Sequence, residues 1–382
     1  MPDVAVVGGG LLGSCVAYEL VRAGREVVLL EGDKPGQATA AGAGILSPAT
    51  SQSGDDADHV FGLQAGAYYT TLLDELRADD AGDGSYERCG VLVVAGEGDS
   101  REAFREQQDI LLARQAAQES LPRSLREISS TEAIERYPLL ERVLGAILDE
   151  NGARVDGMQL NADIQWAAQA RGLRIVHEAV ERILVSNGMV QGVATSVTNL
   201  SADAVVLATG AWTSHFDSTI GLDKNVVPMR GQIVHLRHTE YPTTGGWPAV
   251  VGMRGKYMVP WPNGRIVVGA TREQGSGFEP HLTESGQEEV MSEALRLSPG
   301  LSNAQVLEWR VGLRPVSSDD RPLLGVVPGL EGCFLATGHG AGGLLGGPYS
   351  ARLLADYVIT GMQPEQMRRY DPARFTRSAD PE

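Results

Sequence analysis

An α/β domain with a parallel sheet, interleaved along the chain with an α+β domain on an antiparallel sheet, is the fold the sequence predicts. Three observations carry it. A strand pattern, a glycine-rich turn and an amphipathic helix open the chain in MPDVAVVGGGLLGSCVAYELVRAGREVVLLEGD. A second buried-strand pattern, Ala204-Val-Val-Leu-Ala-Thr-Gly210, lies far downstream. From Gln232 to Ala270 the pattern changes to short strands punctuated by Gly and Pro, the mark of an antiparallel sheet.

Val4 to Val7 form the first strand and run into Gly8-x-Gly10-x-x-Gly13. Leu12, Val16 and Leu20 then recur every four residues as the apolar stripe of a helix, and Gly24 stands where a glycine would end it. Val27 to Leu30 form the second strand, which ends on Glu31 and Gly32. This is a Rossmann-like βαβ unit, and each of its glycines has a task. Gly8 permits the tight turn, Gly10 lets the backbone approach a pyrophosphate, and Gly13 lets the helix sit close to the sheet. The N–H groups of the helix start then face the diphosphate oxygens. Glu31 lies 23 residues past Gly8, where a carboxylate accepts both ribose hydroxyl protons and repels a 2′-phosphate. NAD or FAD is therefore favoured over NADP.

The run Gly36-Gln-Ala-Thr-Ala-Ala-Gly-Ala-Gly-Ile45 is too poor in large side chains to make a core, and such a run lets the backbone pass close to a bulky ligand. Asp58 to Arg77 and Arg101 to Gln118 have helical spacing, with a turn at Gly82 to Gly84, and Cys89 to Ala95 reads as a strand. Further strands are expected from Arg174 to Val180 and in a hairpin, Val180 to Val185 and Val190 to Thr195, around Asn187-Gly188. Ala204 to Gly210 reads as a strand returning to the first sheet, with Thr209, Gly210 and Trp212 near the ligand. Gln232 to Leu236, Lys256 to Pro260 and Arg265 to Gly269 supply the antiparallel sheet before glycine-rich sequence resumes at Gly312. The expected dinucleotide domain thus takes residues 1–80, 150–225 and 310–375, and the substrate domain takes 81–149 and 226–309.

Composition narrows the function. Acidic residues number 49 against 32 basic, a net charge of −17, which argues against nucleic acid or an anionic membrane surface as partner. Cys15, Cys89 and Cys333 lack metal-site or redox spacing. No apolar run approaches transmembrane length, and a strand beginning at Val4 leaves no room for a signal peptide. A soluble cytoplasmic enzyme without a metal, open to homo-oligomerisation, is the expectation.

Five blocks in order carry a family resemblance over nearly the whole chain: VAVVGGGLLGSCVAYEL, ATAAGAGILSP, VVLATGAWTS, KYMVPWPNGRIVVGAT, and VGLRPVSSDDRPLLG with ATGHGAGGLLGGPYSARLLADYV. The chain resembles the D-amino-acid oxidase type of FAD-dependent oxidoreductase, and within it the glycine oxidase and small D-amino-acid dehydrogenase branch. The resemblance implies noncovalent FAD lying between the Rossmann-like domain and the antiparallel sheet. It places the backbone of Leu11 and Leu12 at the pyrophosphate, Glu31 at the ribose and the main chain of Val180 at the adenine. Ala38, Thr39, Ala43, Gly44 and Ile45 would line the path to the flavin ring. His339, Gly340, Ala341, Gly342, Gly343, Leu344 and Leu345 would lie under its pyrimidine end, where N–H groups stabilise charge on the reduced ring.

Arg314 falls on the position that binds the substrate carboxylate, and Tyr257 on the position that adds a second hydrogen bond. A guanidinium holds a carboxylate through two parallel hydrogen bonds and so fixes the carbon to be oxidised. The competing role for Arg314 is an ion pair with Asp319 or Asp320. In this family a hydride passes from Cα to flavin N5 and the imine hydrolyses to an oxo acid and ammonia, with oxygen or another acceptor taking the electrons. The substrate implied is a small carboxylate-bearing amine. Two positions depart from glycine oxidases: Ala341 stands in place of an Arg, and Trp261 in place of a basic residue. Both make the pocket less cationic and favour a larger amino acid or a secondary amine over glycine. Oxidation of a 2-hydroxy acid or an N-methyl amino acid, a flavin subunit of a larger dehydrogenase complex, and an NAD-dependent dehydrogenase are the alternatives.

Overall fold

The computed structural model describes residues 1–51, 54–118, 123–222 and 224–375. One sheet has six strands, in the order Leu323–Val326, Cys333–Thr337, Ala204–Leu207, Val4–Val7, Val27–Leu30 and Arg174–Val176. Every neighbouring pair is parallel except the first. Its central strands are continuous apolar runs because both faces are covered. Val4 and Val6 pack on the side of helix Leu11–Arg22. Ala5 and Val7 pack on the side of the hairpin residues Ile183, Val190 and Val193. Each fully buried Val or Leu side chain of this kind stabilises the fold by about 1.5–3 kcal/mol. Val7 stands level with both Leu30 and Leu207, so Gly8, Glu31 and Ala208 leave the sheet along one edge, the carboxyl ends of the strands, where such sheets bind ligands.

The predicted helix and hairpin signals hold in detail. Gly24 follows helix Leu11–Arg22 with φ +80°, and the N–H groups of Gly24 and Arg25 donate to the carbonyls of Val21 and Leu20 at 3.0 and 3.1 Å. Asn187 and Gly188 take positive φ between strands Val180–Ser186 and Met189–Thr195, as a two-residue hairpin turn requires. The strand expected from Arg174 to Val180 is instead Arg174–Val176, and Val180 begins the hairpin.

The second sheet has eight strands, in the order Gln305–Ser317, Val226–Arg237, Arg265–Gly269, Tyr257–Pro260, Ala249–Gly252, Val91–Ala95, Gly145–Asp149 and Leu125–Ile128. The sheet is antiparallel as expected in six of its seven pairs, whereas Ala249–Gly252 and Val91–Ala95 run parallel. That join is where two separated segments of chain meet, so no hairpin dictates direction there. At the other end the strand expected from Gln232 to Leu236 extends over Val226–Arg237, and its partner Gln305–Ser317 is a strand with no counterpart in the sequence expectations. Pro228 pairs with Pro315 and Gly231 with Gly312, so residues that normally punctuate a strand face one another inside a long two-stranded ribbon. Among the described residues, no helix is long and apolar enough to cross a membrane, and no cluster of His, Cys, Asp or Glu could hold a metal ion.

Candidate active site

The turn after the first strand is built on close backbone contacts. Gly8 has φ +107°, and a Cβ there would collide with the Ala208 carbonyl oxygen. A Cβ on Gly13 would overlap the Gly8 carbonyl oxygen and come within 3.1 Å of Ala208 Cβ. The helix then starts at Leu11 with Gly10 as its cap residue and no capping side chain. Thr39 Oγ1 accepts from the Leu11 N–H at 3.1 Å. Asn161 Nδ2, Gln165 Nε2 and Ser14 Oγ donate to the Gly9 carbonyl at 3.0, 3.0 and 3.1 Å and fix the loop.

Glu31 lies over this loop, since a Cβ on Gly9 would stand 2.6 Å from its carboxyl carbon. Burial raises the Glu31 carboxyl pKa, opposed by the charge of His177 and a hydrogen bond from Gln165. Next to it, a Cβ on Gly32 would come 2.9 Å from Ala179 Cβ, which brings the half-buried Val180 to the same end of the sheet.

Small residues continue the path. Ala38 and Thr39 lie in the short helix Ala38–Ala41, Ala43 is buried, and Ile45 pairs with Arg154 in a two-stranded ladder. The Gly44 carbonyl accepts from the Val155 N–H at 2.9 Å, and a Cβ on Gly44 would be 3.1 Å from Trp261 Cζ2. A Cβ on Gly42 would be 2.8 Å from Leu344 Cδ1, so the run passes between the eight-stranded sheet and the start of helix Gly343–Thr360.

That helix start is also bare. The turn Gly340–Gly342 leads into it, no side chain caps it, and nothing lies within 4 Å of where a Cβ on Gly342 would be. Ala341 and Gly342 are exposed, Gly343, Leu344 and Leu345 are half-buried, and the Leu344 carbonyl accepts from the Tyr69 hydroxyl. His339 Nε2 pairs with Ser350 Oγ at 2.9 Å. Protein packed round the ring lowers its pKa to about 4, so His339 is neutral at pH 7.

Beside it the Gly210 carbonyl accepts from the hydroxyls of Thr213 and Thr337 at 2.7 and 3.1 Å, and Thr209 Oγ1 joins them 3.1 Å from Thr213 Oγ1. Trp212 stands slightly apart and stacks on Phe278 with ring centroids 6.3 Å apart. Two uncapped helix starts thus mark the ends of a path lined by small residues, with a carboxylate at one of them. That arrangement fits FAD, whose pyrophosphate suits one helix start and whose electron-accepting ring suits the other.

On the eight-stranded sheet, Arg314 lies opposite Met229 in the register and its guanidinium lies over the bare backbone of Gly231. Its Nη1 donates to the Thr271 carbonyl at 2.9 Å. Among the described residues no carboxylate pairs with Arg314; Asp319 is taken by Arg374 at 2.8 Å instead. The Tyr257 hydroxyl is next to the guanidinium. Burial raises its pKa, while the charge and hydrogen bond of Arg314, and the charge of Arg272, lower it. Trp261 is 3% exposed and stacked by Arg154 and Arg265, whose guanidinium carbons are 5.1 and 4.6 Å from its ring centre. Those two arginines are matched by Glu87 and Asp156.

Four residues of this region escape a motif reading. Asn161 and Gln165 project from helix Gly157–Ala170, and their signal is a polar pair four residues apart beside the apolar Leu160 and Ile164. Thr271 and Arg272 follow the Gly269 strand, and only the three-dimensional pairing brings them to Arg314.

The signature of the family described as FAD dependent oxidoreductase matches residues 3–357. An uncharacterised oxidoreductase, YurR, of Bacillus subtilis is 32% identical, over 98% of this chain and 99% of its own. A glycine oxidase of Pseudomonas aeruginosa is also 32% identical, over 94% of this chain and 95% of its own. Among solved structures, the iminodiacetate oxidase of Chelativorans sp. BNC1 superposes with a TM-score of 0.90 at 36% identity, covering 97% of this chain and 98% of that one.

Proposed function

Because the chain belongs to the FAD-dependent oxidoreductases and is an enzyme that oxidises amino acids or amines, we propose that it oxidises the carbon–nitrogen bond next to a carboxylate in a small amino acid or amine. The observation that carries this reading is Arg314, a guanidinium with no protein carboxylate among the described residues, beside the Tyr257 hydroxyl. When bound, FAD supplies the two-electron acceptor for the reaction.

The chain's own residues supply the rest. Arg314 holds the substrate carboxylate through parallel charge-assisted hydrogen bonds, and Tyr257 adds a neutral donor. Fixing the carboxylate fixes the adjacent carbon, which converts binding into orientation. The start of helix Gly343–Thr360, which no side chain caps, favours negative charge at the ring end of the path. His339, held neutral, is not a source of protons near pH 7. Water hydrolyses the imine product to an oxo acid and ammonia or an amine.

Glycine oxidase and iminodiacetate oxidase, two of the relatives, act by name on small carboxylate-bearing amines. Ala341 and Trp261 themselves carry no charge where similar glycine oxidases have basic residues, which favours a secondary amine or a larger amino acid over glycine. The test is turnover by the purified holoenzyme with glycine, sarcosine, D-alanine and iminodiacetate, following the oxo acid released. At least one should turn over faster than 2-hydroxy acids of the same size, and preference for the hydroxy acids would overturn the reading.

A further inference from the structure

We propose that Arg272 is a second carboxylate anchor in this site, so that the enzyme selects a small dicarboxylic amine, with one carboxylate on Arg314 and Tyr257 and the other on Arg272. This rests on the reading of Arg314 given above. The geometry begins at Thr271, which is fully buried. Its carbonyl accepts from Arg314 Nη1 at 2.9 Å, its Oγ1 accepts from the Gln232 N–H at 3.0 Å, and the same hydroxyl donates to Glu273 Oε1 at 2.6 Å.

Glu273 is tied just as firmly. Gln232 Nε2 donates to its Oε1 at 2.6 Å, and Arg230 Nε and Nη2 donate to its Oε2 at 2.8 and 2.6 Å. Arg272 is therefore held between two fixed residues, and its backbone nitrogen is bonded to the carbonyl group that Arg314 grips. Its side chain is exposed and has no carboxylate partner among the described residues.

Among the described residues Arg272 and Arg314 lack the carboxylate partner that several arginines of this wall have. Arg154 pairs with Glu87, Arg230 with Glu273, Arg265 with Asp156, and Arg310 with Glu308. In a chain of 49 acidic and 32 basic residues, two neighbouring guanidinium groups left without a carboxylate are the complement of a doubly negative ligand. Both guanidinium groups are near enough to the Tyr257 hydroxyl for their charges to act on it.

The test uses two ligands that have no amine to oxidise: diglycolate, with two carboxylates, and methoxyacetate, with one. Their binding to the holoenzyme is read from the change in flavin absorbance, after the flavin content of each variant has been checked. Diglycolate should bind about tenfold more tightly than methoxyacetate, the size of one charge-assisted hydrogen bond. Arg272→Gln should cut that ratio to below about two, and Arg272→Lys should restore part of it. A ratio unchanged in Arg272→Gln, or a wild-type ratio near one with Arg314→Ala still abolishing methoxyacetate binding, would overturn the second anchor and leave the first reading standing. Failure of the wild type to bind either ligand would sink both.

Discussion

Along the six-stranded sheet the proposed cofactor contacts are mostly main-chain, held by glycines such as Gly8 and Gly13, where a Cβ would collide with neighbouring backbone. Along the eight-stranded sheet the proposed contacts are side chains: Arg314 from strand Gln305–Ser317, Tyr257 from strand Tyr257–Pro260, and Arg272 just after strand Arg265–Gly269. The contrast teaches a division of labour. On the proposed reading, cofactor retention rests on backbone geometry with little room for added atoms, and substrate choice on a few side-chain charges.

The strongest way to break the contrast is at Gly13. Gly13→Ala puts a methyl group into the Gly8 carbonyl oxygen, a backbone clash that no rotamer relieves. The purified variant should carry less than about a tenth of the wild-type flavin per chain. Normal flavin content would show that the turn yields, and the backbone half of the comparison would fail.

Arg314→Ala is the matching test of the other sheet. Losing charge-assisted hydrogen bonds to a substrate carboxylate costs about 1.5–3 kcal/mol each, so kcat/KM should fall about a hundredfold or more while flavin content stays at the wild-type level. Loss of flavin together with activity would blur the two regions into one. Glu31→Ala should act in the opposite sense by weakening FAD binding about tenfold, one charged hydrogen bond's worth, as measured by flavin released on dialysis. Unchanged retention would remove the ribose role.

The smallest expected effect is a pH dependence of stability. His235 is buried in strand Val226–Arg237, level with Val267 on one side and Glu308 on the other, and burial, with the charge of Arg310, lowers its pKa to about 4 against the opposing charge of Glu308. The unfolded chain has a histidine near 6.5, so it binds more protons than the folded chain between about pH 4 and 6.5, and stability falls as pH drops through that window. It is constant above it. His235→Asn should flatten the fall in Tm between pH 6.5 and 4.5 without altering it between pH 7 and 8. An equally steep fall in the variant would assign the acid sensitivity elsewhere.

Legibility in the sequence follows the same division. The βαβ unit is local: strand, glycines, helix and acidic residue lie within the first 33 residues, so the periodicities and turn residues that build it are adjacent on the page. The small-residue run at 36–45 and the glycine-rich helix start at Gly343, which no side chain caps, read almost as well, because composition alone announces close backbone approach. The eight-stranded sheet is different. Its parallel join of Ala249–Gly252 with Val91–Ala95 depends on two segments that share no hairpin, and its longest ribbon is hidden by Pro228, Gly231, Gly312 and Pro315. Arg272 leaves no mark of its own in the sequence; its meaning comes from the carbonyl of Thr271 and from partners that other arginines have and it lacks.

The central claim is that a carboxylate next to the reacting amine is what this site recognises, and the most direct measurement is anaerobic bleaching of the bound flavin by matched amines with and without that group. Sarcosine and iminodiacetate should be compared with dimethylamine and diethylamine under identical conditions. The account predicts bleaching by at least one carboxylate-bearing amine at least about a hundredfold faster than by either plain amine, the size of two charge-assisted hydrogen bonds at Arg314. Equal rates with and without the carboxylate would contradict it.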